Sequence, residues 1–195
     1  EHMLKNNLLG SKTKEGFFKK VKGKDGKSEI LSLNLETLEY GPRVKAKFQS
    51  LELAKSEDDL GKRAKMLFNA RDKAGEFYRA HFLSLMAYVS NRVPEISDEV
   101  YRLDDALKAG FGYEMGPFET WDAIGFENGL NALKSDGVAY SPWIDAMHEK
   151  GAKSFYRIED GKRQFWNQAT NEYSDIPGQE GLVNLQVAKS KGILW

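Results

Sequence analysis

Three glycines, Gly110, Gly112 and Gly116, fall within the ten residues "GFGYEMGPFE". Glycines this dense can cradle the phosphates of a nucleotide, because only a bare backbone approaches an anion so closely. A dinucleotide loop, however, reads G-x-G-x-x-G, follows a buried strand and opens a helix. Here the spacing is G-x-G-x-x-x-G, and the approach "YRLDDALKA" is charged and helical in period. The sequence therefore assigns these glycines to punctuation. Gly110 is expected at the left-handed position after one helix, Gly116-Pro117 is expected to open the next, and Gly125 to close it.

Other chemistry-bearing residues are dispersed. His2, His81 and His148 lie far apart, and none has a metal-ligating partner at helical spacing. The acid pairs Asp58-Asp59 and Asp104-Asp105 are sequence neighbours, which diverge on a helix instead of sharing a site. No G-x-S-x-G elbow surrounds any serine. With no cysteine, disulfides, thiol nucleophiles and Cys-type zinc sites are all excluded. Phe118, Trp121 and Trp143 read as core aromatics, not as a stacking platform. No catalytic, cofactor-binding or metal-ligating residue is assigned.

The elements around these residues are mostly helical. Ala74, Phe77, Tyr78, Phe82, Leu85, Met86 and Val89 recur at three- and four-residue spacing, which predicts one long helix from Asp72 to Asn91, stopped by Pro94. Ser97 is expected to seed a helix carrying Val100, Leu103, Ala106 and Leu107 to Gly110, and Ser56 to cap an earlier one. Shorter helices are expected from Pro117 to Ile124, from Phe126 to Leu133, and from Pro142 through Met147 to Gly151. Two hairpins flank them. One pairs Phe17 to Val21 with Ile30, Leu31, Leu33 and Leu35 across a Lys24-Asp25-Gly26-Lys27 turn, and Gly41-Pro42 ends it. The other turns on Asp160-Gly161. The segment after Pro177 is too short to classify.

The bulk numbers narrow the class. The chain has 195 residues, 29 lysines and arginines balancing 29 acids, and 41% hydrophobic residues, enough for a core. Zero net charge argues against nucleic-acid binding. The basic cluster Lys19, Lys20, Lys22, Lys24 and Lys27 reads either as a contact for an acidic partner or as a solvated hairpin whose charge resists edge pairing. The apolar runs are too short for a membrane span, and no signal-peptide pattern is present. A soluble, cytoplasmic protein is expected. Both ends look cut: "EHMLKNN" starts in what could be a helix or a vector scar, and the apolar end Ile193-Leu194-Trp195 would need a cover.

Two segments carry a family resemblance. "LDDALKAGFGYEMGPFETWDAIG", Leu103 to Gly125, resembles the C-terminal helical domain of the L-3-hydroxyacyl-CoA dehydrogenase family, in which an "ID-x-A" helix, a glycine turn and a "GP" helix closing in "D-x-I-G" follow one another. Asp104-Asp105-Ala106, Gly116-Pro117 and Asp122-Ala123-Ile124-Gly125 fill those places. "LLGSKTKEGFFKK" resembles the "LG-x-K-T-x-x-GF(Y/F)" end of the first helical domain. This order is similar to that of long bacterial enzymes that fuse the dehydrogenase to an enoyl-CoA hydratase.

The resemblance implies a mainly α fold, a helical dehydrogenase C-terminal-type domain with two peripheral β-hairpins. It implies residues 1–20 as the tail of a preceding helical domain, 21–55 as hairpin and linker, 56–153 as the helical domain, and 154–195 as hairpin and connector. Gly110, Gly112, Gly116, Pro117, Trp121, Asp122 and Gly125 are the motif residues, with structural roles. In the family, NAD and a His-Glu pair belong to an N-terminal Rossmann domain, so NAD is implied for the parent enzyme and no cofactor for this chain. A family asparagine in "P-G-F-x-x-N-R" contacts substrate, but Asn91-Arg92 follows Tyr88-Val89-Ser90, and its role is not carried over. The partners implied are the Rossmann, first helical and hydratase domains, a second copy in a homodimer, and acyl-CoA through the parent cleft. The function expected is a supporting, non-catalytic segment of that dehydrogenase in fatty-acid β-oxidation. The alternatives are an interaction module docking a hydratase or thiolase, and a small hydrolase.

Overall fold

A computed structural model describes residues 1–23, 25–178, 188 and 192. Lys24 and most of the segment after Pro177, including Ile193-Leu194-Trp195, therefore lie outside the described residues. The chain divides into two compact units, residues 1–47 and 48–195.

The first unit starts with a single turn, α1 (His2–Lys5), and continues into an antiparallel sheet of β1 (Phe18–Lys22), β2 (Ser28–Leu33) and β3 (Tyr40–Pro42). β1 pairs with β2 from Phe18↔Ser32 to Lys22↔Ser28. The Asp25-Gly26 turn has Gly26 at φ +78° and the Asp25 carboxylate accepting from Lys27 N. The third strand was not expected. Asn34 reverses the chain after β2, its side-chain oxygen accepting from the amides of Glu36 and Thr37. Leu35 consequently lies exposed in that turn instead of in the returning strand, and Gly41-Pro42 belongs to β3 instead of ending the unit.

Among its described residues the second unit is helical with one sheet. Its elements are α2 (Gln49–Lys55), α3 (Leu60–Asn69), α4 (Lys73–Ser90), α5 (Val100–Phe111), α6 (Pro117–Ile124), α7 (Phe126–Ser135), α8 (Trp143–Glu149), then β4 (Tyr156–Glu159), β5 (Lys162–Asn167) and β6 (Glu172–Asp175). Fold class is thus mainly α with two small antiparallel sheets. The long helix starts where the sequence placed it, because the Asp72 carboxylate accepts from Gly75 N at 2.9 Å. Ser56, by contrast, ends α2, and the cap of α3 is Asp59, accepting from Lys62 N at 2.8 Å. Ser97 likewise forms the turn before α5, its hydroxyl accepting from Glu99 N, and the helix begins at Val100.

The core of this unit is aromatic. Phe118 and Trp121 of α6, Phe126 of α7 and Trp143 of α8 surround Phe155, with ring centroids 4.8, 5.0, 5.3 and 5.9 Å away. Phe155 is wholly buried, and Phe165 and Trp166 of β5 join the same cluster. Burying rings of this size supplies roughly 1.5–3 kcal/mol each. The face that α4 turns inward is rotated from the expected stripe. Leu83, Met86, Ala87, Val89 and Ser90 are buried, while Phe77 is 67% exposed. α4 is apolar around more than half its circumference, so periodicity alone does not choose the face.

Candidate functional site

The glycine segment lies where α5 hands over to α6. α5 continues through Gly110, correcting the expected stop there. Gly112 adopts the left-handed conformation, φ +68°, and its N–H donates to Lys108 O at 3.0 Å. Gly116 is the N-cap of α6, followed by Pro117. A glycine cap leaves the first amides of the helix without a side-chain acceptor. Asp104, reaching across from α5, supplies one. Its carboxylate accepts from Phe118 N at 2.9 Å and Glu119 N at 3.1 Å. A Cβ on Gly116 would stand 2.3 Å from Asp104 Cβ and Cγ, so the bare glycine is what admits the carboxylate.

Asp104 also accepts from the Tyr156 hydroxyl at 2.7 Å, joining β4 to both helices. Asp122 repeats the device one turn later. Its two oxygens accept from Phe155 N at 2.7 Å and Tyr156 N at 2.9 Å, fixing the start of β4. Glu119 accepts from Gly116 N at 2.8 Å, from Lys108 Nζ at 3.1 Å and from Arg163 at 2.8 Å. The Arg163 guanidinium stacks 4.1 Å from the Tyr156 ring centroid. Burial pushes the Asp104 carboxyl up to about 7, opposed by the Phe118 amide and the Tyr156 hydroxyl. Burial pushes Asp122 to about 7 as well, opposed by the Phe155 and Tyr156 amides. Burial works the same way on Glu119, but the Gly116 amide and Arg163 outweigh it and hold that carboxyl below its usual range.

The cluster opens onto a cleft of ≈ 640 Å³ bordered by Glu119, Asp122, Tyr156, Arg163, Asp59 and Arg157. A cleft with convergent titratable groups is the usual place to seek catalysis. The oxygens of Asp104, Glu119 and Asp122 are each engaged by an amide, a hydroxyl or a cation of the chain itself. The arrangement therefore acts as a joint between α5, α6, β4 and β5. At α6 the Asp104 carboxylate occupies the end of the helix.

The remaining motif residues lock neighbouring contacts. Trp121 Nε1 donates to Phe126 O at 3.1 Å across the Gly125 turn, where φ is +109°. Gly129 lies under that indole, and a Cβ there would come within 2.3 Å of Nε1. The histidines do not assemble. His81 is exposed on α4 beside Phe77, and His148 is exposed in the last turn of α8 beside Phe126. Among the described residues no group of His, Asp and Glu is placed to hold a metal. Asn91 caps the end of α4, its side-chain amide donating to Ala87 O.

Sequence reading missed the cluster's partners, Lys108, Glu119, Tyr156 and Arg163, and the capping role of Asp104. One signal was available. Val100, Leu103, Asp104 and Leu107 share a helix face, and the expected fourth apolar member, Ala106, is exposed. An acid on a buried stripe must find donors.

A second concavity, of ≈ 430 Å³, is mainly apolar and is walled by Leu60, Ala64 and Leu67 of α3, Phe82 and Leu85 of α4, and Met115 before α6. Phe77, Phe111 and Tyr113 are also exposed, at 67%, 74% and 45%. No helix among the described residues is long and apolar enough to cross a membrane.

Comparison with known proteins agrees with the motif. Residues 77–160 match the family model described as 3-hydroxyacyl-CoA dehydrogenase, C-terminal domain. The chain is 35% identical, over 98% of its length, to a probable 3-hydroxyacyl-CoA dehydrogenase of Bacillus subtilis (strain 168), spanning 24% of that protein. It is 29% identical over 68% of its length to a putative fatty acid oxidation complex trifunctional enzyme of Rickettsia prowazekii (strain Madrid E), spanning 17% of it. The namesake of Rickettsia felis (strain ATCC VR-1525 / URRWXCal2) is 25% identical over 94% of the chain, which spans 22% of that protein. The chain thus covers a quarter or less of these curated relatives. No solved structure matches it significantly.

Proposed function

With residues 77–160 a domain of the 3-hydroxyacyl-CoA dehydrogenase C-terminal type, we propose that the chain is a supporting segment of an NAD-dependent L-3-hydroxyacyl-CoA dehydrogenase of fatty-acid β-oxidation. In this reading residues 56–153 and the sheet after them brace the wall of the acyl-CoA cleft and pair with another helical domain. NAD and the reacting groups come from elsewhere in a cytoplasmic parent enzyme. The observation that carries the reading is the engagement of Asp104, Glu119 and Asp122. Their oxygens hold backbone amides and neighbouring side chains, which suits a rigid support and leaves none of the three free as a base for a substrate hydroxyl. The 195-residue chain is expected neither to bind NADH, followed by its fluorescence, nor to oxidise NADH in the presence of acetoacetyl-CoA. Turnover above a buffer control refutes the proposal.

The apolar groove between α3 and α4, with Phe77 exposed beside it, favours a second reading. There the chain is an interaction module docking a hydratase or thiolase partner, or a second copy of itself. Light scattering checks the self-pairing form, and a clean monomer at high concentration counts against it.

A further inference from the structure

The first unit has a charge distribution that the neutral whole conceals. Residues 1–47 contain eleven lysines and arginines against six aspartates and glutamates, although the entire chain balances 29 against 29. Part of the excess lies on the β1–β3 sheet, whose strands carry Lys19, Lys20 and Lys22 against Glu29. Phe18, Lys20 and Lys22 of β1 alternate on one face, opposite Ser32, Ile30 and Ser28 of β2. Arg43, just past β3, joins this face, with its guanidinium 5.5 Å from the Phe18 ring centroid.

Within the described strands no acid lies on this face. Glu29 belongs to the other side of β2, where it opposes Val21. Three other cations of the unit are paired: Lys5 with Glu1 at 3.3 Å, Lys19 with Glu15 at 2.8 Å and Lys27 with Asp25 at 3.7 Å. Among the described residues Lys20, Lys22 and Arg43 make no ion pair. Between and beside them stand apolar side chains in water, Phe18 at 53% exposed, Ile30 at 48% and Val44 at 87%.

We propose that this sheet face, Phe18, Lys20, Lys22, Ile30 and Arg43, docks onto an anionic phospholipid surface. Unopposed cations interleaved with protruding apolar side chains suit a layer that offers phosphates above and hydrocarbon below. A single-stranded nucleic acid offers phosphates too, but it needs a free aromatic face for its bases. Arg43 lies over one face of the Phe18 ring, and the other apolar residues here, Ile30 and Val44, are aliphatic.

The test is co-sedimentation of the 195-residue chain with vesicles of neutral phosphatidylcholine alone or with about a third phosphatidylglycerol, at low and high salt. Binding is expected to the anionic vesicles only and to fall with salt. Each of Lys20→Gln, Lys22→Gln and Arg43→Gln should weaken it about five-fold, the effect of one cation near a charged membrane. Phe18→Ser with Ile30→Ser should remove the fraction that survives high salt. Lys62→Gln with Lys73→Gln, twice that charge change in the other unit, should leave binding intact. Circular dichroism checks that each variant keeps its fold. Absence of binding to anionic vesicles overturns the proposal. So does equal loss in the Lys62/Lys73 control, or tighter binding to an oligonucleotide at equal phosphate concentration.

Discussion

Replacing Gly116 by alanine tests the joint at its tightest point. The backbone there, φ −74° and ψ 170°, is open to any residue, so conformation raises no objection to the substitution. By itself it would stabilise the chain by about 0.4–1 kcal/mol through the unfolded state. Crowding opposes it. The new Cβ meets Asp104 Cβ and Cγ at 2.3 Å, whereas carbon atoms rest about 3.5–4.0 Å apart. α6 must retreat by more than an ångström, and the bonds from Phe118 N and Glu119 N, 2.9 and 3.1 Å long, then open beyond reach. Two hydrogen bonds to a carboxylate, at about 1.5–3 kcal/mol each, put the loss near 3–6 kcal/mol. Urea unfolding followed by tryptophan fluorescence reports it, because all four tryptophans belong to residues 48–195. Gly110→Ala is the internal contrast. Gly110 is helical with no neighbour within 4 Å, so alanine should stabilise by about 0.5–1 kcal/mol. A Gly116→Ala loss under about 1 kcal/mol would show that Asp104 does not depend on the bare glycine.

Asp122→Ala leaves Phe155 N and Tyr156 N without their acceptors. We expect a loss of about 2–5 kcal/mol and selectively faster hydrogen exchange at those two amides; uniform exchange across the unit would contradict a local clamp. Trp121→Phe removes the bond to Phe126 O and should cost about 1–3 kcal/mol, measurable by thermal unfolding, with an unchanged melting curve as the contrary result. For pH the sign follows from Asp104 and Asp122, which burial raises to about 7. The folded state then binds more protons than the unfolded one between about pH 4 and 7, so stability falls as pH rises through that window and levels off above it. Asp72, Glu119, Asp136, Asp145 and Asp175 are shifted downward and oppose this trend only at acid pH. The urea midpoint should be higher at pH 5.5 than at pH 8, less so in Asp104→Asn; a higher midpoint at pH 8 would refute the assignment.

What the sequence revealed was local. The Asp160-Gly161 hairpin turn and the extents of α4 and α6 follow from capping, turn chemistry and spacing within a few residues. The strands β3 and β6 escaped notice because an edge strand of three or four residues has no pattern apart from its partner's. The capping of α6 escaped for a related reason. Sequence-level capping rules look a few residues ahead of a helix, and the acceptor for Phe118 N is fourteen residues back in α5. Tyr156, which completes that site, is fifty-two residues away from Asp104. The motif itself was legible as a mark of family, but its physical reason, a glycine that vacates space for an acid of another helix, exists only after α5 and α6 have met.

Phe155 has a consequence for where this piece of protein can be divided. The family pattern stops at residue 160, in the turn between β4 and β5. A polypeptide ended there keeps the Phe155 ring but loses the strand that pairs with β4 and the Arg163 that steadies Glu119. One ended before residue 154 would lack the ring as well, and four aromatic walls would close on a vacancy the size of benzene or invite water among them. A stretch that keeps Phe155, the partner strand of β4 and Arg163 together must therefore run past the stretch that can be recognised.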